Sequence, residues 1–245
     1  MSDDAQVFLS LIIPAYNEDV RIAASLRAAA SYLGSLGKPC ELIVVNDGST
    51  DDTLSEIDRQ CAALNQLRVI TYENNCGKGY AVRQGVFASR GEYVAFSDAD
   101  LSAPLEEFPK LFAAMEKGYD VAIGSRAVAG TAIGVHQPFY RELGGKGLNL
   151  IIQALATPGI KDTQCGFKLF RGDVAHGVFE RCWIDGWGFD VEVLYLARRM
   201  GYRIAEIGVK WNHAEGSKIR PFRAALRVIW DVLRVRAHNY PEGER

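Results

Sequence analysis

Residues 92–104 read EYVAFSDADLSAP. A short run of apolar and aromatic residues ends in an Asp-x-Asp, Asp98 and Asp100, and a proline follows. Such an unbroken apolar run is how a strand covered on both faces of a sheet reads. Two carboxylates at the end of a buried strand repel each other unless a cation compensates them. Magnesium or manganese with few protein carboxylates, completed by diphosphate oxygens, suits that arrangement. The plainer reading is a helix start, with Asp100 or Ser102 capping the turn that Pro104 opens; the two roles are compatible.

The same grammar extends outward from this stretch. Runs at 9–14 (LSLIIP), 40–46 (CELIVVN), 67–72 (LRVITY) and 119–124 (YDVAIG) also read as strands. Helix-period stripes lie between them at Ile22, Leu26 and Leu33, at Leu54, Ile57, Cys61 and Leu64, and at Leu105, Phe108, Leu111, Phe112 and Met115. Ser49 with Asp52 three residues later resembles a capping box. Strand–helix alternation implies an α/β fold with a mainly parallel central sheet flanked by helices. The second half is less regular. A helix is expected over 141–155, a short strand at 167–171, a helix after Phe189, a strand at 202–211 and a last helix over 222–238. The division expected is a catalytic domain at 1–218 and a C-terminal amphipathic helix and tail at 219–245.

The chain has 245 residues, 48% apolar and 24% charged, with a formal net charge of -2. These are proportions of an ordinary globular domain and exclude a globally basic nucleic-acid binder. The odd count of five cysteines, with no CxxC, argues against a disulfide framework and for a reducing cytosol. The N-terminus MSDDAQVF lacks signal-peptide features, and no run reaches the length of a membrane span. The expected location is cytoplasmic, peripheral on the cytoplasmic face of a membrane.

Polar clusters follow the first four strands: Ala15-Tyr16-Asn17-Glu18, Asn46-Asp47-Gly48-Ser49, Asn74-Asn75-Cys76-Gly77-Lys78-Gly79 and Asp98-Ala99-Asp100. Each alone reads as a turn. Together on one sheet edge they mark a ligand site, since open α/β sheets bind ligands beyond the carboxyl ends of their strands. Gly77-Lys78-Gly79 is not a dinucleotide fingerprint, because Val82 stands where the third glycine belongs, and no GxxxxGK[ST] occurs.

These residues resemble family 2 glycosyltransferases of the GT-A fold. The carriers are LIIPAYNED (11–19), VVNDGSTDDT (44–53), NNCGKGYAVRQG (74–85), FSDADLSAP (96–104), GSR (124–126), DTQCGFKLF (162–170), WGFDVEVLYLA (187–197) and EGSK (215–218). The last three are narrower and resemble the polyprenyl- and dolichyl-phosphate sugar synthases, which include mannose-type and β-glucosyl-type enzymes. The resemblance implies that Pro14, Tyr16, Glu18 and Asp47 frame the nucleoside, and that Asp98 and Asp100 hold a Mg2+ or Mn2+ ion and the sugar nucleotide. Lys78 and Ala99 would also contact the donor. Arg126 would lie near the diphosphate or acceptor phosphate. Asp162, Gln164 and the Gly166-Phe167 turn would line the sugar or acceptor side, and Asp190 would orient the sugar unless it is only a helix cap. Ser217 and Lys218 would close over the phosphates. Ser102 stands where mannose-type relatives carry a glutamine, which favours UDP-glucose over GDP-mannose as donor.

A phosphate acceptor is largely dianionic at neutral pH and needs no general base; it needs cations, for which Arg126, Arg141 and Lys218 are candidates. The implied reaction is inverting transfer of a hexose to a polyprenyl or dolichyl phosphate. Trp183 and Trp187 read as packing or interface residues rather than catalytic ones. The stripe Phe222, Leu226, Ile229, Trp230, Leu233 and Ala237, with Arg220, Arg223, Arg227, Arg234 and Arg236 around it, reads either as a membrane-interface helix or as one docked on its own domain or a second subunit. The apolar stretch 143–152, flanked by Arg141 and Lys146, is a second lipid-facing candidate. Two other functions stay open here. One is transfer to a saccharide or other hydroxyl, with Asp162 or Asp190 as base; the other is a non-catalytic membrane-associated module that binds nucleotide-sugars.

Overall fold

The computed structural model describes residues 6–64, 66–129, 131–133, 152–212 and 221–240, with side chains of the last segment from Arg227 onward. The expected helix at 141–155 and the candidates Arg141, Lys146, Ser217 and Lys218 therefore lie largely or wholly outside the described residues, as does the division at residue 218.

The first half alternates as expected: β1 (Leu9–Ala15), α1 (Ile22–Ser35), β2 (Cys40–Asp47), α2 (Thr53–Cys61), β3 (Leu67–Tyr72), α3 (Lys78–Ala88) and β4 (Tyr93–Ser97). A 3-10 turn (Leu105–Glu107) leads into α4 (Phe108–Glu116) and β5 (Val121–Ser125). Then come β6 (Ala132–Ile133), β7 (Phe167–Arg171), α5 (Gly172–Phe179), α6 (Phe189–Arg199), β8 (Ile204–Gly208), β9 (Lys210–Trp211) and α7 (Pro221–Ala237). The main sheet has the order β3-β2-β1-β4-β7-β5-β8. The pairs among β3, β2, β1 and β4 are parallel, which puts all four polar loops on one edge. Only β7 runs antiparallel, to β4 and to β5, while β5 and β8 are parallel.

Both faces of this sheet are covered. Along β1, Leu11 and Ile13 join the core under α1, α2 and α4, while Ile12 joins the core under α3, α5 and α6. That is the two-residue alternation of a strand with two buried faces. Helix α3 is absent from the sequence reading because its buried residues are Gly79, Ala81, Val82, Gly85 and Val86, too small to make an apolar stripe. The small size is needed: a Cβ on Gly85 would lie 2.4 Å from Ile12 Cγ2. Helix α5 was also unforeseen. The expected strand at 202–211 is interrupted at Val209, whose N–H donates to Ser125 O instead (3.2 Å).

Local caps differ from expectation as well. Ser49 and Asp52 form no capping box. Asp51 Oδ1 accepts from the N–H and hydroxyl of Thr53, and Ser49 Oγ accepts from Asn17 N–H. Pro104 precedes the 3-10 turn, and Pro109 is the proline in the first turn of α4.

Helix α7 is docked on the domain. Val228 and Val232 pack with Ile152, Ala156 and Val191, while Val235 and Tyr240 enter the core under α6. The expected stripe is thus not the docking face: Trp230 and Leu233 are 63% and 46% exposed. Docking uses Val228, Asp231, Val232 and Val235, at helical spacing.

Candidate active site

The first two loops are stitched together. Asn17, held at a positive φ of 55°, accepts at Oδ1 from Thr50 N–H (2.9 Å), and Glu18 N–H donates to Thr53 Oγ1 (2.7 Å). Pro14 is buried in β1, Tyr16 is 45% exposed on the loop, and Glu18 pairs with Arg21 (2.7 Å).

Asp47 is buried at the end of β2. Its oxygens accept from Cys76 N–H (2.8 Å), Gly77 N–H (2.9 Å) and Asn75 Nδ2 (2.8 Å). It therefore anchors the third loop rather than presenting an open carboxylate. That loop opens α3, whose first amides are taken too: Gly79 and Tyr80 N–H donate to Asp185 O (2.7 and 3.2 Å). A Cβ on Gly77 would lie 2.4 Å from Asp185 O, and one on Gly79 would lie 2.5 Å from Ile184 O. The start of α3 and the 183–188 loop thus form one close-packed unit.

Lys78 leaves this unit to meet Asp98, Nζ to Oδ1 at 2.5 Å. Burial opposes the ammonium, but Asp98 and then Asp190 hold the Lys78 pKa above its ordinary value, so it is cationic at neutral pH. Gly166 backs Asp98: its carbonyl accepts Asp98 N–H (3.1 Å), and a Cβ there would lie 2.2 Å from Asp98 Oδ2. In the following turn, Leu101 adopts a φ of 47°, which is costly for a bulky side chain. Asp100 Oδ1 accepts Ser102 N–H (2.9 Å), a bond within the turn before Pro104; neither the 3-10 turn nor α4 has the side-chain cap that the sequence suggested. Ala99, expected as a donor contact, is buried, and its carbonyl accepts from Ser25 Oγ (2.5 Å). Gln164 is half-buried on the turn before Gly166.

Two expected ligand residues are turned to protein partners. Arg126 directs Nε and Nη2 to the carboxylate of Asp162 (2.7 and 2.8 Å), with its own N–H on the same group (2.9 Å), and its guanidinium stacks on Trp211. Burial pushes Asp162 up, but Arg126 outweighs it and holds the carboxyl below the usual range. Asp190 makes no cap bond; it is buried against Lys168, whose Nζ also donates to Cys165 O (2.6 Å). Burial pushes the Asp190 carboxyl up, against the pull of Lys168 and Lys78.

Lys168 went unnoticed in the sequence, although a lysine within FKLF, an otherwise apolar strand, is a signal of a buried charge needing a partner. Of the two tryptophans that read as packing or interface residues, Trp187 is 41% exposed, with its ring 5.2 Å from Lys78 Nζ. A further unread network is Glu192, which accepts from Trp183 and Ile184 N–H and from Tyr240 Oη.

Among the described residues no cluster of three His, Cys, Asp or Glu forms a metal cage. Asp98 and Asp100 supply two hard oxygen donors, which fits a cation that takes its remaining ligands from phosphate and water.

A family model described as glycosyl transferase family 2 matches residues 10–179, the segment holding all four loops and the Asp98–Asp100 turn. The chain belongs to this family. It is 38% identical over 245 residues to the human dolichyl-phosphate beta-glucosyltransferase, covering 93% of this chain and 74% of that protein. To the Saccharomyces cerevisiae protein of the same name it is 37% identical over 252 residues, covering 96% and 75%. Among solved structures, glucosyl-3-phosphoglycerate synthase from Mycobacterium tuberculosis, in complex with Mn2+, UDP and glucosyl-3-phosphoglycerate, superposes with a TM-score of 0.69. That match covers 94% of this chain and 80% of the other at 21% identity, and shows the shared GT-A fold. This family 2 glycosyltransferase thus has the fold expected from its motifs. No described helix is long and apolar enough to cross a membrane.

Proposed function

We propose that this glycosyltransferase moves glucose from UDP-glucose to a dolichyl or other polyprenyl phosphate, with inversion at the anomeric carbon. The observation that carries the choice of acceptor is the state of its two candidate bases. A hydroxyl acceptor needs a group to take its proton. Asp162 is bound by Arg126 and Asp190 by Lys168. A phosphate acceptor makes no such demand. The names of the relatives point the same way.

In this reading Pro14, Tyr16 and Glu18 border the nucleoside, and Asp47 acts through the loop it anchors. Asp98 and Asp100 would hold Mg2+ or Mn2+, whose chemistry when bound is to stabilise charge on the departing diphosphate. Lys78 adds a fixed positive charge at the same centre. Arg126 faces the acceptor phosphate by exchanging part of its bond to Asp162, and Gln164 borders the sugar. Ser217 and Lys218 are proposed to cover the phosphates. Trp230 and Leu233, exposed beside Arg227 and Arg236, are proposed to rest on an anionic cytoplasmic membrane surface that presents the lipid.

The test is transfer from UDP-glucose and GDP-mannose to a polyprenyl phosphate, with Mn2+, Mg2+ or chelator. Metal-dependent formation of β-linked glucosyl phosphate from UDP-glucose is expected. The retained anomer, or transfer to saccharide hydroxyls alone, would refute it.

A further inference from the structure

Trp187 stands out as an exposed indole on an otherwise fastened loop. Trp183 and Ile184 N–H are held by Glu192, the Asp185 carbonyl by the first amides of α3, and the Asp185 carboxylate by Arg83 (2.6 Å). On the other side, a Cβ on Gly188 would lie 2.4 Å from Asp231 Cβ, so α7 closes against the loop. A large apolar side chain held open to solvent between such anchors is a preformed contact surface, and little further ordering is needed for a ligand to use it.

Its position selects the ligand. The ring lies 5.2 Å from Lys78 Nζ, which is 2.5 Å from Asp98 Oδ1. In a nucleotide-sugar the hexose is bonded directly to the second phosphate. A donor whose diphosphate is neutralised at the Lys78–Asp98 centre therefore places its hexose within reach of the indole. One face of a glucopyranose carries axial C–H groups, weakly positive, which pack on the negative face of an aromatic ring. An isoprenoid tail begins beyond the acceptor phosphate, farther from this centre.

We infer that Trp187 is a stacking platform for the hexose of the donor and contributes to sugar selection. This rests on the reading of the site as a nucleotide-sugar site. The experiment is calorimetric titration of the full chain, with Mn2+, by UDP-glucose and separately by UDP. Trp187→Ala is expected to weaken UDP-glucose about tenfold and to leave UDP unchanged. Trp187→Phe keeps a ring, so it should retain UDP-glucose binding while losing the extra quench of tryptophan fluorescence that UDP-glucose produces over UDP. Unchanged affinity for UDP-glucose in Trp187→Ala, equal weakening of both ligands, or an unaltered quench in Trp187→Phe would overturn the assignment. Failure of the unsubstituted protein to bind UDP would instead overturn the nucleotide-sugar reading beneath it.

Discussion

Lys78–Asp98 and Lys168–Asp190 each join a helix residue (Lys78 of α3, Asp190 of α6) to a residue on or just after a neighbouring strand, yet their surroundings differ. The side chains of the first pair are 13% and 29% exposed, while those of the second are 0% and 2% exposed. Water and ligands reach the first, so its charges can be shared with a cation or a phosphate. In the second, Lys168 Nζ lies over the Phe96 ring and donates to Asp190 and to the Cys165 carbonyl, and both charges are shut off from water. Proximity to a catalytic centre is therefore a poor guide to role. Access to solvent separates the pair that can act on a ligand from the pair that holds β7 against α6.

Breaking the buried pair should give the largest change. Lys168→Ala leaves the Asp190 carboxyl enclosed without its cation, and is expected to lower the unfolding free energy by about 3–5 kcal/mol. Replacing both, Lys168→Met with Asp190→Leu, should restore most of that loss; urea denaturation of the two variants measures it. Breaking the open pair should do the reverse. Asp98→Asn is expected to slow glucose transfer by about 100- to 1000-fold while lowering stability far less than Lys168→Ala does, because Asp190 and Asp100 still compensate Lys78. Comparable stability losses in Lys168→Ala and Asp98→Asn would erase the distinction.

Arg126–Asp162 is intermediate, with a half-exposed cation on a buried carboxylate, and it sharpens the comparison through pH. The Asp162 carboxyl is depressed in the folded state, so its contribution is complete above the ordinary aspartate pKa of about 3.9. It is lost as pH falls through the lower folded value. Arg126→Gln should lower stability at pH 7 and flatten its decline on acidification below about pH 4. Parallel urea series at the two pH values test this; equal declines in parent and variant would contradict it. The smallest effect is expected at Tyr240→Phe, which removes one bond to Glu192 and one from Trp183 (3.0 Å). A loss of about 1 kcal/mol is expected by thermal unfolding.

The residues themselves show how far the sequence could be read. The strands at 9–14 and 40–46 were legible because a run dominated by apolar residues has one sensible home in a two-faced sheet. The Asp98–Asp100 turn was legible because paired carboxylates after such a run need compensation. Helix α3 was not, since its packing face is made of glycine, alanine and two valines and carries no strong apolar stripe. The sequence left two homes open for α7, and the structure docks it through Val228, Val232 and Val235 while Trp230 and Leu233 stay exposed; periodicity cannot say which of two stripes finds a partner.

What the sequence alone determined was the parallel α/β frame, the edge on which the four polar loops gather and the carboxylates at its centre, because these follow from local patterning. The tertiary structure decided the antiparallel placement of β7, and with it the meeting of Lys168 with Asp190. It also brought Arg126 onto Asp162 and fixed the loop that opens Trp187 beside Lys78. Those contacts join residues far apart in the chain. Which charge stays open and which is enclosed depends on what packs around it, and no local pattern records that.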